Sequence, residues 1–204
     1  WDAHPTYDDY WAGQAIDPAD IQVPTLYVTG LEDFFLDALN PIYAALGERE
    51  DFAMLLGPWE HGVPEYLPDN PISTGVYLAW FDRWLKQDKT APIPPKVVAY
   101  EMPEASNNAD QWRGLNAWPP AEAKPMRFSL LPDGDLRRGK VGHRGTDTYQ
   151  VAADGSSGTV NYTTEPFKQD EVLTGSIDVT LTTTFSTTDG NVIVDLLDVG
   201  PDGS

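Results

Sequence analysis

Cysteine is absent from this sequence of 204 residues, and cationic side chains are scarce. Without cysteine, neither disulfide bonds nor thiolate chemistry is available to the protein. Lys and Arg number 13 against 32 Asp and Glu, which gives a formal net charge of −19. A surface of this sign repels phosphate groups, so we expect neither nucleic acid nor an anionic membrane as a partner. The acidity is more typical of a well-solvated surface than of a site for a cationic partner.

Long apolar runs are missing as well. No stretch approaches the roughly 18 apolar residues of a membrane-spanning helix, so we expect no membrane partner. The chain opens on Trp1 rather than Met and shows no signal-peptide pattern, which predicts a processed or partial polypeptide. The sequence leaves the localisation unknown, and it leaves open whether the chain forms a homo-oligomer.

Apolar side chains, by contrast, are plentiful. Hydrophobic residues make up 41% of the chain, which has 7 Trp, 9 Tyr and 7 Phe. At this length, that content is enough for one large domain or two small domains with packed cores.

The first part of the chain alternates between strand-like and helix-like patterns. Short apolar runs at 21–30 and 51–59 predict buried strands. A segment with apolar residues at helical spacing follows each run, at 34–46, with a proline inside it, and at 74–88. The run VVAYEM is one more candidate strand. Strand, helix, strand and helix in this order predict a parallel sheet with covering helices.

The last part of the chain has a different texture. Beyond a linker rich in Pro and Ala at 116–125, short alternating runs are separated by turns rich in Gly, Asp and Ser. The runs are MRFSLL, VNYTT, SIDVTLTTTF and NVIVDLLDV. This pattern predicts an all-β region, a sandwich or jelly roll. We therefore divide the chain into an α/β domain at 1–122 and a β domain at 123–204.

Two chemically reactive side chains follow the two predicted strands. Asp33 comes just after the first strand, in VTGLEDFF, and His61 just after the second, in LLGPWEHG. Open α/β sheets collect reactive groups at the carboxyl edge of their strands. An acid followed by a histidine is the order in which an α/β-hydrolase presents these two members of its Ser, Asp and His triad. We predict that the two side chains meet at this edge.

The residue types suit that chemistry. A serine hydroxyl attacks a carbonyl only when a neutral imidazole removes its proton, and a carboxylate must hold the imidazole in the correct tautomer. Asp33 would orient the ring, and His61 would act as general base and then acid. From the residues alone a structural alternative stays open, because an Asp after a strand is commonly a turn former and a lone loop histidine is commonly solvated.

Several stretches resemble the cocaine esterase and X-Pro dipeptidyl-peptidase family of α/β-hydrolases. HPTYDDYW, VPTLYVTGLEDFF, LLGPWEHG and FDRWLK resemble the second half of its hydrolase domain, and LTGSIDVTLTTTF and LLDVGPDG resemble its C-terminal jelly roll. The resemblance implies the second half of an α/β-hydrolase domain followed by a partial jelly-roll domain. It also implies that Asp33, in GLED, and His61, in GPWEH, are the triad acid and base.

The sequence departs from the family pattern at the nucleophile. No Gly-x-Ser-x-Gly pentapeptide is present, and GSSG at 155–158 has the wrong spacing. We expect the nucleophilic serine to lie upstream of this chain, and the jelly roll to continue past its end. The 204-residue chain alone is therefore expected to be inactive.

Phe34 and Phe35 directly follow the expected triad acid. In the branch of the family that hydrolyses α-amino acid esters, carboxylates near that position bind the substrate ammonium, so two aromatic residues argue against this specificity. We expect Phe34 to contact substrate and Phe35 to be a core residue.

The resemblance thus implies a serine hydrolase that acts on a small-molecule ester or amide through an acyl-serine intermediate, without cofactor or metal. Two alternatives stay open. One is an X-prolyl dipeptidyl aminopeptidase, and the other is a non-catalytic β-sandwich binding module attached to a relic hydrolase segment. Of the other histidines, we expect His4 to be structural, with the aromatic cluster at 7–11 packed on the core, and His143 to lie in a solvated loop.

Overall fold

The structure is a computed structural model that describes residues 3–62, 71–102, 111–142, 145–151, 156, 158–188 and 190–200. It divides into two compact units. One comprises Trp1–Ala121 with Gly175–Thr180, and the other comprises Glu122–Thr174 with Leu181–Ser204. The assignment of 1–122 to a hydrolase half and of 123–204 to a jelly roll stays a prediction. His143 lies outside the described residues.

The first unit contains a four-stranded mixed sheet in the order β1-β2-β3-β4. Its strands are β1 (Thr25–Gly30), β2 (Phe52–Gly57), β3 (Val97–Tyr100) and β4 (Trp112–Leu115). β1, β2 and β3 are parallel, which confirms the predicted parallel arrangement, and β4 adds antiparallel to β3. Sequence analysis missed β4 because the segment is short and lacks regular alternation, so its pairing depends on the neighbouring strand.

The helices of this unit are α1 (Asp9–Gln14), α2 (Leu39–Leu46) and α3 (Pro71–Trp84), with 3₁₀ turns at Pro18–Asp20 and Leu36–Ala38. The predicted helix at 34–46 therefore begins later, at Leu39. This start places Pro41 in the first turn, where its missing N–H would have no intrahelical partner anyway. In the part of the chain that the structure describes, no helix is long and apolar enough to cross a membrane.

The core of the unit lies on both faces of β2. Every residue of this strand is buried. Met54 and Leu56 pack in one cluster with α2, whereas Leu55 packs in a second cluster with Val76 of α3. Alternate side chains of a strand point to opposite faces, so a strand covered on both sides is apolar throughout. This explains why the second predicted strand has no polar alternation.

The expectation that the aromatic cluster at 7–11 packs on the core is wrong. No residue of α1 is buried, and Tyr7 is exposed. The cluster is instead held by local bonds. The Asp8 carboxylate caps the helix by accepting from the N–H groups of Tyr10 and Trp11, and the Trp11 indole N–H donates to the His4 carbonyl.

Within its described residues, the second unit contains one hairpin, formed by the antiparallel strands β5 (Phe128–Leu131) and β6 (Asp135–Arg138) around a 3₁₀ turn at Pro132–Gly134. The hairpin confirms the first predicted run of the β region.

The later runs, at 160–164, 176–185 and 191–199, form no strand within the described residues, apart from an isolated bridge between Asp135 and Thr163. Their prediction as strands is not supported by this structure. The alternating pattern is present, but a strand requires a partner for its backbone groups, and local sequence does not supply one.

Candidate active site

The carboxyl ends of β1 and β2 lie side by side because of the register between the strands. Gly30 is opposite Gly57, the last residue of each strand. Backbone hydrogen bonds continue past the strands. The Leu31 N–H donates to the Gly57 carbonyl at 2.8 Å, and the Glu32 N–H donates to the Trp59 carbonyl at 3.3 Å. The turn that carries Asp33 is thereby held against the turn that carries His61.

Asp33 and His61 meet at this edge. The His61 Nδ1–H donates to the Asp33 Oδ1 at 3.2 Å. The Asp33 side chain is 9% exposed, and the His61 side chain is 55% exposed. The predicted contact is confirmed, whereas the catalytic role of the two residues stays a prediction. With Nδ1 bonded to the carboxylate, Nε2 is the nitrogen that can accept a proton from a nucleophile.

The Asp33 carboxylate is also held by its own turn. Its Oδ1 accepts the Phe35 N–H at 2.9 Å, and its backbone carbonyl accepts the Leu36 N–H at 3.0 Å. This is the Asx-type turn that favours Asp immediately before a helical segment. Asp33 is therefore both a turn former and the partner of His61, so the two interpretations of this residue are compatible.

Two phenylalanines surround the imidazole. The Phe34 ring centroid lies 4.4 Å from that of His61, and the Phe35 ring meets His61 edge-on at 5.2 Å. Their exposed fractions are 70% for Phe34 and 57% for Phe35. The expectation that Phe35 is a core residue is wrong, since it lines the cleft described below. The predicted helix begins at Phe34, whereas α2 begins at Leu39. Helical periodicity therefore does not determine which way the Phe35 side chain faces.

A cleft with a volume of about 490 Å³ opens beside the pair. Burial raises the pKa of the Tyr27 phenol in its wall, so this hydroxyl stays protonated at neutral pH and can donate a hydrogen bond. Within the described residues, the carboxylate that lines the cleft is Asp33. The lining residues are Tyr27, Val28, Thr29, Asp33, Phe35, Ala38, His61 and Gly62.

Sequence reasoning found Asp33 and His61 but missed Tyr27, Thr29 and Ala38 as residues of the cleft wall. Tyr27 and Thr29 belong to a strand that the pattern assigned to the core, and only the position of β1 at the edge of the sheet brings them to the cleft. Across the described residues, no group of three or more His, Asp or Glu side chains could hold a metal ion.

Comparison with known protein families gives two matches that together cover most of the chain. Residues 91–204 match the X-Pro dipeptidyl-peptidase C-terminal non-catalytic domain. Residues 1–63 match the X-Pro dipeptidyl-peptidase (S15 family). These matches fit a partial hydrolase domain joined to a separate β domain.

Individual relatives agree with the family matches. The cocaine esterase of Rhodococcus sp. (strain MB1 Bresler) is 23% identical over 250 residues, covering 98% of this chain and 42% of the esterase. The crystal structure of an aminopeptidase from a marine sediment archaeon, Thaumarchaeota archaeon, is similar with a TM-score of 0.55 and 25% identity. That match covers 76% of this chain and 28% of the aminopeptidase. The chain thus spans less than half the length of either relative.

Proposed function

Because the chain belongs to the X-Pro dipeptidyl-peptidase and cocaine esterase family, we propose that it supplies the acid and base of a serine hydrolase. The substrate is an ester or amide, and the reaction passes through an acyl-serine intermediate. The nucleophilic serine lies on a segment outside this chain. The observation that carries the proposal is the Asp33–His61 pair, which lies beside a cleft at the carboxyl ends of two parallel strands.

Each residue of the pair has a defined role. Nε2 of His61 removes the proton from the serine hydroxyl as its oxygen attacks the carbonyl carbon. The tetrahedral intermediate then collapses, and the imidazolium returns this proton to the leaving alcohol or amine. Water then attacks the carbonyl carbon of the acyl-serine while His61 takes its proton. The imidazolium returns this proton to the serine oxygen, which releases the acid and restores the serine. Asp33 holds the Nδ1–H tautomer throughout and stabilises the imidazolium.

The position of β1 supports a serine supplied from beside it. Among the described strands, β1 is paired with β2 alone, so its outer edge carries unpaired backbone groups next to Asp33. A further strand parallel to β1 on that edge would point its carboxyl end towards the same side of the sheet as Gly30. A nucleophile turn at its carboxyl end would then bring a serine to the side of the cleft that His61 lines.

The wall of the cleft favours a neutral acyl group. Phe35 lines the cleft, and Phe34 lies against the catalytic imidazole, so the surface near the reacting carbonyl is aromatic. The Asp33 carboxylate already accepts from His61 and from the Phe35 N–H. A substrate ammonium would have to compete with these bonds.

A second candidate is an aminopeptidase that cleaves an amide after a free amino terminus. The solved relative described as an aminopeptidase supports it. This candidate requires an anionic group for the substrate amine, which the rest of the complete polypeptide would have to provide. Comparison of neutral and amino substrates separates the two candidates.

The proposal is tested by Asp33→Asn in the complete polypeptide, which includes the serine. The amide favours the wrong imidazole tautomer, so we expect the fold to be kept and kcat to fall by roughly 10⁴. Asp37→Asn is the matched control, because it makes the same chemical change at an exposed position of the following 3₁₀ turn and should leave kcat unchanged. Steady-state kinetics with an activated ester gives both values.

A kcat for Asp33→Asn within about tenfold of the unmodified enzyme would contradict the role of Asp33. The chain of 204 residues gives a second check, since without a nucleophile it should not turn over the ester. Turnover by this chain that a serine-directed phosphonate blocks would contradict the placement of the serine.

A further inference from the structure

We infer that Trp59 is a positioning residue that sets the separation between His61 and Asp33 by packing on two glycines. The contact formed by Gly30, Gly57 and Trp59 is called the Trp59 anchor below. This packing contact exists whatever reaction the protein catalyses, whereas its consequence for turnover rests on the proposed function. The anchor explains why both strands end in glycine at the same level of the sheet.

The indole of Trp59 lies directly on Gly57. A Cβ atom at position 57 would lie 1.8 Å from Cζ3 and 1.9 Å from Cη2 of the indole. These distances are far below any contact between carbon atoms that are not bonded to each other, so even alanine at this position requires the ring to move. Gly57 is thus required by the ring that covers it.

Gly30 is covered by a different part of the same residue. A Cβ atom at position 30 would lie 1.8 Å from the backbone carbonyl oxygen of Trp59. This carbonyl also accepts the Glu32 N–H at 3.3 Å. The backbone of the His61 turn therefore rests on the end of β1, one residue before the segment that leads to Asp33.

The indole fixes this turn to the core. Trp59 is 8% exposed and packs in the cluster of Leu55, Val76 and Val98, with its ring centroid 6.2 Å from that of Trp112. His61 follows Trp59 by two residues and is itself more than half exposed. The imidazole contacts the Asp33 carboxylate and the two phenylalanine rings, all of which belong to the facing turn. The buried Trp59 therefore fixes the backbone that carries His61 towards that turn.

This arrangement predicts an asymmetry between the two glycines. Gly57 opposes a side chain, so shrinking Trp59 should make room for a methyl group at position 57. Gly30 opposes the Trp59 carbonyl oxygen at 1.8 Å as well as the indole Cδ1 at 2.6 Å, and a smaller side chain leaves the carbonyl in place, so shrinking Trp59 should not make room at position 30. General packing of two strand ends predicts no such difference.

The experiment compares Gly57→Ala, Trp59→Leu, Gly57→Ala/Trp59→Leu and Gly30→Ala/Trp59→Leu. Gly75→Ala is the matched control, because a Cβ atom at that helical glycine meets nothing within 4 Å. The first readout is the ¹⁵N chemical shifts of the His61 ring in this chain, which report the Nδ1–H tautomer held by Asp33. The second is kcat and KM in the complete polypeptide.

We expect Gly57→Ala to lose the Nδ1–H signature and to lower kcat by about 10²-fold with little change in KM, since displacement by about 1 Å is enough for such a loss. Trp59→Leu should show a smaller loss of the same kind. Adding Gly57→Ala to Trp59→Leu should cause no further change, whereas adding Gly30→Ala should cause a large one. Gly75→Ala should match the unmodified chain.

Gly57→Ala that matches the unmodified chain in both readouts would overturn the inference. If Gly57→Ala does not fold, Trp59→Leu and its two double variants decide, and equal effects of the two glycine substitutions in that background would overturn the inference. If the ring shifts follow the expected order while the complete polypeptide hydrolyses nothing, the proposed function fails and the anchor stands. If Asp33→Asn abolishes turnover while the His61 ring shifts do not change in the Gly57 and Trp59 variants, the anchor alone fails.

Discussion

Among its described residues, the first unit has two His–Asp pairs, and the pair with the shorter contact is the one without a predicted catalytic role. His4 Nδ1 lies 2.7 Å from Asp8 Oδ2, and His61 Nδ1 lies 3.2 Å from Asp33 Oδ1. An aromatic ring contacts each imidazole, with Tyr10 stacked on His4 at 4.3 Å and Phe34 tilted against His61 at 4.4 Å. Distance and ring contact therefore do not distinguish the pair with a predicted catalytic role from the pair without one.

The pairs differ in how the chain brings them together. Asp8 follows His4 by four residues and caps α1, so the contact belongs to one local turn. Asp33 and His61 are 28 residues apart and meet through the ladder between two parallel strands. Only the second pair lines the cleft. Position at the carboxyl edge of the sheet, rather than the bond itself, places this pair beside the cleft.

The largest expected effect compares the two histidines directly. In the complete polypeptide, His61→Ala removes the proposed general base, and we expect kcat to fall by roughly 10⁶. His4→Ala removes an imidazole that is also bonded to an aspartate but does not line the cleft, so kcat should stay within about threefold of the unmodified enzyme. Initial rates on an activated ester measure both. A similar loss of kcat in both variants would contradict the proposed difference in role between the two histidines.

The second prediction concerns substrate choice at the His61 pair. Phe34 and Phe35 surround this imidazole with aromatic carbon, so a phenylacetyl ester should exceed its α-amino analogue in kcat/KM by at least about tenfold. Tyr10→Leu, which changes the ring on the other histidine, should leave the ratio unchanged. A strong preference for the amino compound would favour the aminopeptidase candidate.

The smallest expected effect is on stability and concerns the His4 pair. The hydrogen bond with His4 lowers the pKa of Asp8 below its ordinary value of 3.8. A carboxylate with a lowered pKa contributes stability above its unfolded-state pKa, and this contribution is lost as the pH falls through the folded-state value. Asn also caps helices well, so Asp8→Asn removes the charge and keeps the cap.

The Tm of the unmodified chain should therefore fall more than that of Asp8→Asn between about pH 5 and about pH 2. Thermal unfolding followed by circular dichroism gives this difference, and all other acids are common to both proteins. Parallel Tm curves over the whole range would show that the His4 bond contributes nothing to folding.

Much of the first unit could be predicted because its signals are local. The apolar runs that become β1 and β2 and the order of Asp33 and His61 are visible in the sequence, and the family resemblance inferred from those residues is confirmed. The late β region could not be predicted in the same way. Its alternating runs are also local signals, but strand formation depends on partners that lie far away in the chain.

By itself, the sequence determined which segments are apolar enough to be buried, where they end, and which reactive side chains follow them. Only the tertiary structure decided that Gly30 lies level with Gly57, that Trp59 covers both, and that Phe35 lines a cleft rather than the core. The physical reason is that local propensity acts within a few residues, whereas the register between strands is set by packing on both faces of β2. This register brings His61 to Asp33 across two strands, whereas the contact between His4 and Asp8 forms within one turn.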